Sequence, residues 1–398
     1  MRLHSHSPVR RIAWLLGLAA LLATAALPSV AQAAPRPVKV MTQNLYLGAD
    51  LTPAIQATNG GMLALAGTEI WNTVQATDYP ARAKAIAREI VDADPDLIGL
   101  QEAAHWFTQT PGDGIPGLGG TPATESAIDF LEILGDELDA LGVPYNVVAS
   151  QDEANIEGPT ASGFDIRLLQ RDVILAKKSK VDAGEIACGN VIQGNYANNL
   201  SFTLLGIPNA VTSKRGFVSA NCTVNKRSFR FVNTHLEAFS STYRFAQARQ
   251  LVGASVVPPL PGPPFVNGPA GPAAAGGKVV VVGDLNSDPN GTTVPAGDFV
   301  PNNAAFLTLL GAGYTDTWTA VNPPTTSTTL AEPGDTSGFN EFVNDADLSG
   351  LDSRIDHVMA RGGVTVVRSK RTGVDSDNRT PGGLWPSDHA GVVATLQP

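Results

Sequence analysis

Val279-Val280-Val281-Val282-Gly283-Asp284-Leu285-Asn286 is the stretch that decides the fold. Four consecutive β-branched residues suit a strand covered on both faces, since a half-solvated strand would alternate apolar and polar. Asp284 and Asn286 stand where the run ends. The same arrangement recurs on either side of it. Val38 to Leu45 carries Asn44 at the end of a short strand pattern, and Leu97-Ile98-Gly99-Leu100 leads to Gln101-Glu102. Phe229-Arg230-Phe231-Val232 runs into Asn233-Thr234-His235. Asp356 lies within Arg354-Ile355-Asp356-His357-Val358, and Asp388-His389 precedes a last strand, Gly391 to Leu396.

Helical patterns separate these strands. Tyr79 to Val91 is amphipathic and stops at Asp94-Pro95-Asp96, because proline disfavours helical geometry in the residue before it. Further helices are predicted near Ser126 to Leu141, Tyr243 to Val252 and Ala304 to Leu310. Val173 to Ala176 and Val364 to Val367 complete the strands. Residues 111–122, 256–277 and 321–347, rich in Gly, Pro, Ala or Thr, read as loops. Strands alternating with helices predict an α/β class, and their number predicts two β-sheets packed face to face.

The chain has 398 residues, 43% hydrophobic and 16% charged, enough apolar material for a substantial core. Arg10-Arg11, the apolar run Ile12 to Leu27 and Ala31-Gln32-Ala33 have the order of a secretory signal peptide over residues 1–33. The run is short for a membrane span; a retained anchor is the alternative, and the paired arginines also suit twin-arginine export. Residues 34–398 then form a single domain, because dividing them would divide the polar groups. Secretion to the outside of the cell is the expected location. There Cys188 and Cys222 either pair or remain free thiols, and an oxidising compartment favours the pair.

The formal charge is −10, and −13 once the three arginines of residues 1–33 are gone. Such a chain has no general attraction for a polyanion, so phosphate affinity has to come from local groups or a bound cation. Carboxylates converging at strand ends are costly in isolation and imply a metal. Four histidines lie outside residues 1–33. His235 and His389 sit in strand-end motifs as proton-handling groups, whereas His105 and His357 read as structural. No G-x-S-x-G elbow or P-loop occurs.

Thr-Gln-Asn44, Leu-Gln-Glu102, Asn-Thr-His235-Leu, Gly-Asp284-Leu-Asn286-Ser, Arg-Ile-Asp356 and Ser-Asp388-His389 occur in the order seen in the endonuclease/exonuclease/phosphatase superfamily. Over residues 38–398 the chain resembles a secreted bacterial-type member with the deoxyribonuclease-I-like fold, shared by abasic-site endonucleases, inositol-polyphosphate 5-phosphatases and bacterial sphingomyelinases. The resemblance implies a four-layer α/β sandwich with helices on the outer faces. It also implies a hydrolase of phosphoric esters using Mg²⁺, or alternatively Mn²⁺ or Ca²⁺. Glu102 would be the main metal ligand, with Asn44 in or beside its shell. Asp284 and Asn286 would orient water and hold the phosphoryl group. His389, oriented by Asp356, would be general base or transition-state stabiliser, and Asp388 would position the metal or His389. His235 would assist the leaving oxygen or bind phosphate. Which of Asp284 and His389 takes the proton is left open.

Relatives also bring a Tyr or Arg to the phosphate from the region of residues 165–175, where Arg171 is the first choice and Arg167 the second. Arg244 and Gln247 share a helix face and read as structural. Glu237 either orients His235 or is solvated. The phosphate-ester substrate stays open between nucleic acid, phospholipid and small soluble phosphates. The Pro-rich stretch 256–267 is a possible membrane-entering segment. A monomer with no obligate protein partner is expected. A binding module that has lost activity is the non-enzymatic alternative, and it predicts gaps among the six motifs.

Overall fold

A computed structural model describes residues 36–398 except 116–118, 257–263 and 323–333. The expected signal segment, and parts of the 256–277 and 321–347 loops, lie outside the described residues. Residues Arg36–Pro398 form one compact unit.

Two sheets carry the fold. In spatial order the first is β15 (Thr365–Thr372), β16 (Gly391–Gln397), β1 (Val38–Asn44), β2 (Leu97–Gln101), β6 (Asp165–Lys177), β3 (His105–Gln109) and β4 (Glu125–Asp129), with β5 (Tyr145–Pro159) also on β6. The second is β13 (Thr315–Asp316), β14 (Asp356–Arg361), β12 (Val279–Asp284), β11 (Arg227–His235), β10 (Gly216–Val224) and β7 (Ile186–Asn195). A separate hairpin joins β8 (Leu200–Leu204) to β9 (Ile207–Ser213). The helices are α1 (Thr52–Ile55), α2 (Gly60–Ala76), α3 (Tyr79–Ala93), α4 (Phe130–Ala140), α5 (Lys178–Asp182), α6 (Ser241–Leu251), α7 (Ala304–Gly311) and α8 (Thr317–Val321).

Side-chain alternation along the strands builds three cores between four layers. Val280 and Val282 join Val40, Phe231, Val358 and Ala394 between the sheets. Val279 and Val281 face the other way, onto Leu251, Phe306 and Leu309 of α6 and α7. Met41, Ile98 and Leu175 face Ile86, Ile90 and Leu134 of α3 and α4. The valine run is therefore covered on both faces, and the architecture is the four-layer α/β sandwich.

Two residues fix the spacing of the sheets. A Cβ at Gly99 would lie 2.4 Å from Val282 Cγ2 and 2.6 Å from Asn233 Oδ1. Glycine thus permits the approach. Buried Asn233 bridges it, donating from Nδ2 to the Leu100 and Val173 carbonyls (2.8 and 3.0 Å) and accepting from Gln101 Nε2 (2.6 Å). Cys188 and Cys222 form a disulfide between opposed residues of β7 and β10.

Several elements depart from expectation. The helix predicted from Ser126 begins at Phe130, because Glu125–Asp129 pair with β3 and the Asp129 carboxylate caps the helix by accepting from the Leu131 and Glu132 amides. The α2 helix, strand β5 and the β8–β9 hairpin were not foreseen.

Candidate active site

Strand register gathers the polar groups. In the second sheet His235 pairs with Asp284 and Asp284 with Asp356, so three of the candidate residues lie side by side at one end of β11, β12 and β14. In the first sheet β1 and β2 run parallel, with Asn44 beside Gln101 and Glu102 next along. The antiparallel pairing of β1 with β16 brings His389 to the same end. Backbone geometry turns sharply just past these ends. Tyr46, Glu102 and Asn286 have φ of +57°, +54° and +48°. Such non-glycine conformations cost about 1–3 kcal/mol each and persist where their surroundings hold them. Gly283 is required by contact, since a Cβ there would meet the Thr234 carbonyl oxygen at 2.0 Å.

His389 Nδ1 donates to Asp356 Oδ2 at 2.7 Å, which turns Nε2 toward Asp284 Oδ2 (3.9 Å) and Asp388 Oδ1 (3.8 Å). Burial works against a charge on this imidazole, but Asp356, Asp388 and Asp284 outweigh it and raise its pKa well above the ordinary value. The other Asp356 oxygen is buried without a hydrogen-bond partner.

Asp284 accepts from the Asn286 amide at 2.8 Å through one oxygen and from Asn44 Nδ2 at 3.1 Å through the other. Burial, and then the Asp356 charge, push its pKa up to about 7. Asp388, a quarter exposed, is raised to about 6, first by burial. Glu102 accepts from the Leu47 amide at 2.8 Å. Asp284, Asp356 and His389 each bring a ligand atom within 4.8 Å of the others.

His235 is buried and differently dressed. Arg215 Nη1 lies 2.9 Å and Gln170 Nε2 3.3 Å from its Nδ1. Arg215 Nη1 also lies 3.3 Å from Nε2, which faces Asp284 Oδ2 at 3.4 Å, so N–H donors approach both ring nitrogens. Burial, Arg215 and His389 together hold this imidazole neutral, with its pKa well below the ordinary value. Asn286 lies 3.1 Å from the same Nε2 and donates to the Leu236 carbonyl at 3.0 Å. Together the site holds one charge-favouring imidazole, one neutral imidazole and a carboxyl titrating near neutrality. It can receive a proton, donate hydrogen bonds to an anion and stabilise developing negative charge.

Arg171 is a correction. Residues 170 and 172 of β6 face the sheet interface and residue 171 faces away, as alternation requires. Arg171 donates to the Ala103 carbonyl at 2.9 Å and pairs with Asp129 at 2.5 Å. The second choice, Arg167, stacks over Phe107 at 3.9 Å and donates to the Ala123 carbonyl at 2.7 Å. The guanidinium in the cleft is Arg215, with Gln170 beside it. Neither had a strand-end motif to betray it. Behind Arg215 the carboxyls of Glu153 and Asp172 are buried without hydrogen-bond partners, and burial raises both well above the carboxylate range. Glu237 is buried, accepting from the Phe239 amide rather than being solvated. Gln247 and Arg244 brace the loop after His235 through the Glu237 amide and the Glu237 and Ala238 carbonyls. His105 faces Asp129 at 3.2 Å, and His357 lies 3.1 Å from the Ser287 carbonyl, both outside the cluster.

The profile of the Endonuclease/Exonuclease/phosphatase family matches residues 243–389, the segment carrying Asp284, Asn286, Asp356, Asp388 and His389. No curated protein matches the sequence. Among solved structures, the endonuclease/exonuclease/phosphatase from Beutenbergia cavernae DSM 12333 is similar, with a TM-score of 0.51, 19% identity and 91% of this chain covering 72% of that one. TDP2 of D. rerio complexed with a single-strand DNA product gives 0.45 and 13%, covering 91% and 99%. The family protein from Leptotrichia buccalis C-1013-b gives 0.48 and 13%, covering 90% and 99%. The Beutenbergia likeness is one of fold.

Proposed function

We propose that the chain is a metal-dependent hydrolase of phosphoric esters that attacks phosphorus directly with water. One observation carries this reading: His235, Asp284, Asn286 and the His389–Asp356 pair meet with Asn44, Glu102 and Asp388 at one end of two packed sheets. Asp284 Oδ2 faces both imidazoles and is the oxygen placed to receive the proton of the attacking water. Asn286 and His235 stand together to receive the phosphoryl oxygens. His389, held by Asp356, supplies positive charge as the transition state gathers negative charge. Arg215, beside His235, offers its guanidinium to the same anion.

The donor set fits a hard divalent cation. The Glu102 charge raises the proton affinity of both Asp284 and Asp388, and no lysine or arginine forms an ion pair with any of the three among the described residues. All the free donor atoms are oxygens, as Mg²⁺ prefers. Glu102 and Asp388 would hold it, with Asn44 beside them. When bound, such a cation polarises the phosphoryl oxygens and neutralises their charge. The surrounding carboxylates hold His389 in its charged form, which has no lone pair to give a cation, so its Nε2 is kept for the phosphate.

Export fits the Cys188–Cys222 disulfide, a bond that persists in oxidising compartments. Bis-p-nitrophenyl phosphate, p-nitrophenyl phosphate, plasmid DNA, RNA and sphingomyelin, each with Mg²⁺ and with EDTA, test the reading. Turnover of at least one ester that EDTA abolishes is expected. Silence toward all five with Mg²⁺, Mn²⁺ and Ca²⁺ overturns it.

A further inference from the structure

A second hollow lies beside the polar cleft, bounded by α1, α2, β5, β6 and the β8–β9 hairpin. Leu51, Ile55, Ile156, Phe202 and Val211 line both spaces, so the two lie side by side and share a wall. The cleft holds about 330 Å³ of water-accessible space and the hollow about 70 Å³. Their walls differ in kind. Glu102, Gln170, Arg215 and Asp388 face the cleft, whereas the hollow is walled almost wholly by carbon.

The few polar groups of the hollow are already engaged. Glu157, its one carboxylate, accepts from the Ala123 amide at 3.0 and 3.1 Å and lies 3.9 Å from Arg167. The Trp106 indole N–H donates to the Leu47 carbonyl at 2.9 Å. A nucleobase edge, a ribose or an inositol ring placed here would lose its hydrogen bonds to water and find none in return. A hydrocarbon chain has none to lose. With roughly 10–15 Å³ of such space per water, the hollow takes about five waters, or a chain of about as many methylenes. Phe239, 47% exposed, lies edge-on to Phe202 (5.4 Å between centroids) and keeps an aromatic surface at the shared wall.

We propose that this hollow receives the hydrocarbon chain of an amphiphilic phosphate ester whose phosphoryl group lies in the cleft. The assignment rests on the phosphoesterase reading above and narrows its substrate to esters carrying an unbranched apolar chain on phosphorus. The reaction is unchanged. Water oxygen bonds to phosphorus, the bond to the leaving oxygen breaks, and the chain stays on the phosphate product.

A series of n-alkyl p-nitrophenyl phosphates, from methyl to octyl, reads this directly by nitrophenolate release. kcat/KM is expected to rise about threefold to fourfold per methylene over about five carbons and then level off, the gain that burial of a methylene brings. Ala54 lines the hollow and not the cleft. Ala54→Phe is expected to flatten the series while leaving the methyl ester within about twofold of the parent, and the milder Ala54→Leu to truncate it part-way. Calorimetric binding of n-octyl phosphate against methyl phosphate gives a readout independent of turnover, with octyl tighter by at least tenfold. Equal rates along the series together with equal binding overturn the proposal and make the hollow a packing gap. Tight octyl binding with no ester hydrolysed instead overturns the phosphoesterase reading and leaves the hollow standing.

Discussion

Glu89, on α3, is a buried carboxyl whose two oxygens lack hydrogen-bond partners, and burial pushes its pKa from 4.5 up to about 8. A folded pKa above the unfolded one means that its contribution is intact below pH 4.5 and is lost progressively as pH rises toward about 8. Glu89→Gln removes this liability. Thermal melts should show the variant drawing ahead of the parent between those limits by up to about 1 kcal/mol per pH unit, with a constant gap beyond. A gap independent of pH refutes the buried acid. At the catalytic end, His389→Ala and Asp284→Ala should each lower kcat by about 10²–10⁴ with little change in melting temperature. Arg171→Ala should do the reverse. It leaves Asp129 with one partner fewer, costing about 1–3 kcal/mol of stability, and kcat/KM should stay within about threefold. The site was legible where a side chain closes an apolar run, as Asp284 and His235 do. Arg215, Gln170, Glu153 and Asp172 lie inside strands or at a strand's entry, and only cross-strand neighbours give them meaning. For Arg171 the alternation of β6 was the usable signal, because it sets residues 170 and 172 opposite to 171.

Among the elements, β12 and β2 were readable because full burial writes itself as unbroken apolar sequence. The α3 helix was readable because one face is apolar and the other charged. Strand β5 was not. Among the described residues it pairs with β6 alone, so few positions are covered and its burial follows no period of two. The α2 helix opens on Gly60-Gly61 and lacks a charged face to contrast with its apolar one, which hides its period. Ser126 to Asp129 belong to a strand that only pairing with β3 stabilises. The close approach at Gly99 gives an element-level prediction. Gly99→Ala forces a methyl group into Val282 and Asn233, and should cost about 1–3 kcal/mol by denaturant titration while the circular-dichroism spectrum keeps its shape. An unchanged midpoint would show the sheets free to separate.

For the molecule as a whole, acidic residues exceed basic ones by ten, and the acid excess at the cleft adds a local repulsion. A ligand that binds only the folded state stabilises it by mass action, about 2.7 kcal/mol at a hundred times its dissociation constant. Millimolar Mg²⁺ should therefore raise the melting temperature, EDTA should reverse the rise, and Glu102→Gln should blunt it. A melt indifferent to Mg²⁺ in the parent would refute a cation site there. Strand β1 lies between β16 and β2, with Val38 opposite Leu396. That pairing has a consequence in time. A ribosome delivers Asn44 early and His389 only after some 345 further residues. A chain that has passed Asp284 but not yet reached His389 carries Glu102, His235 and Asp284 without it. The cluster at the sheet ends is therefore completed late, when β16 docks beside β1.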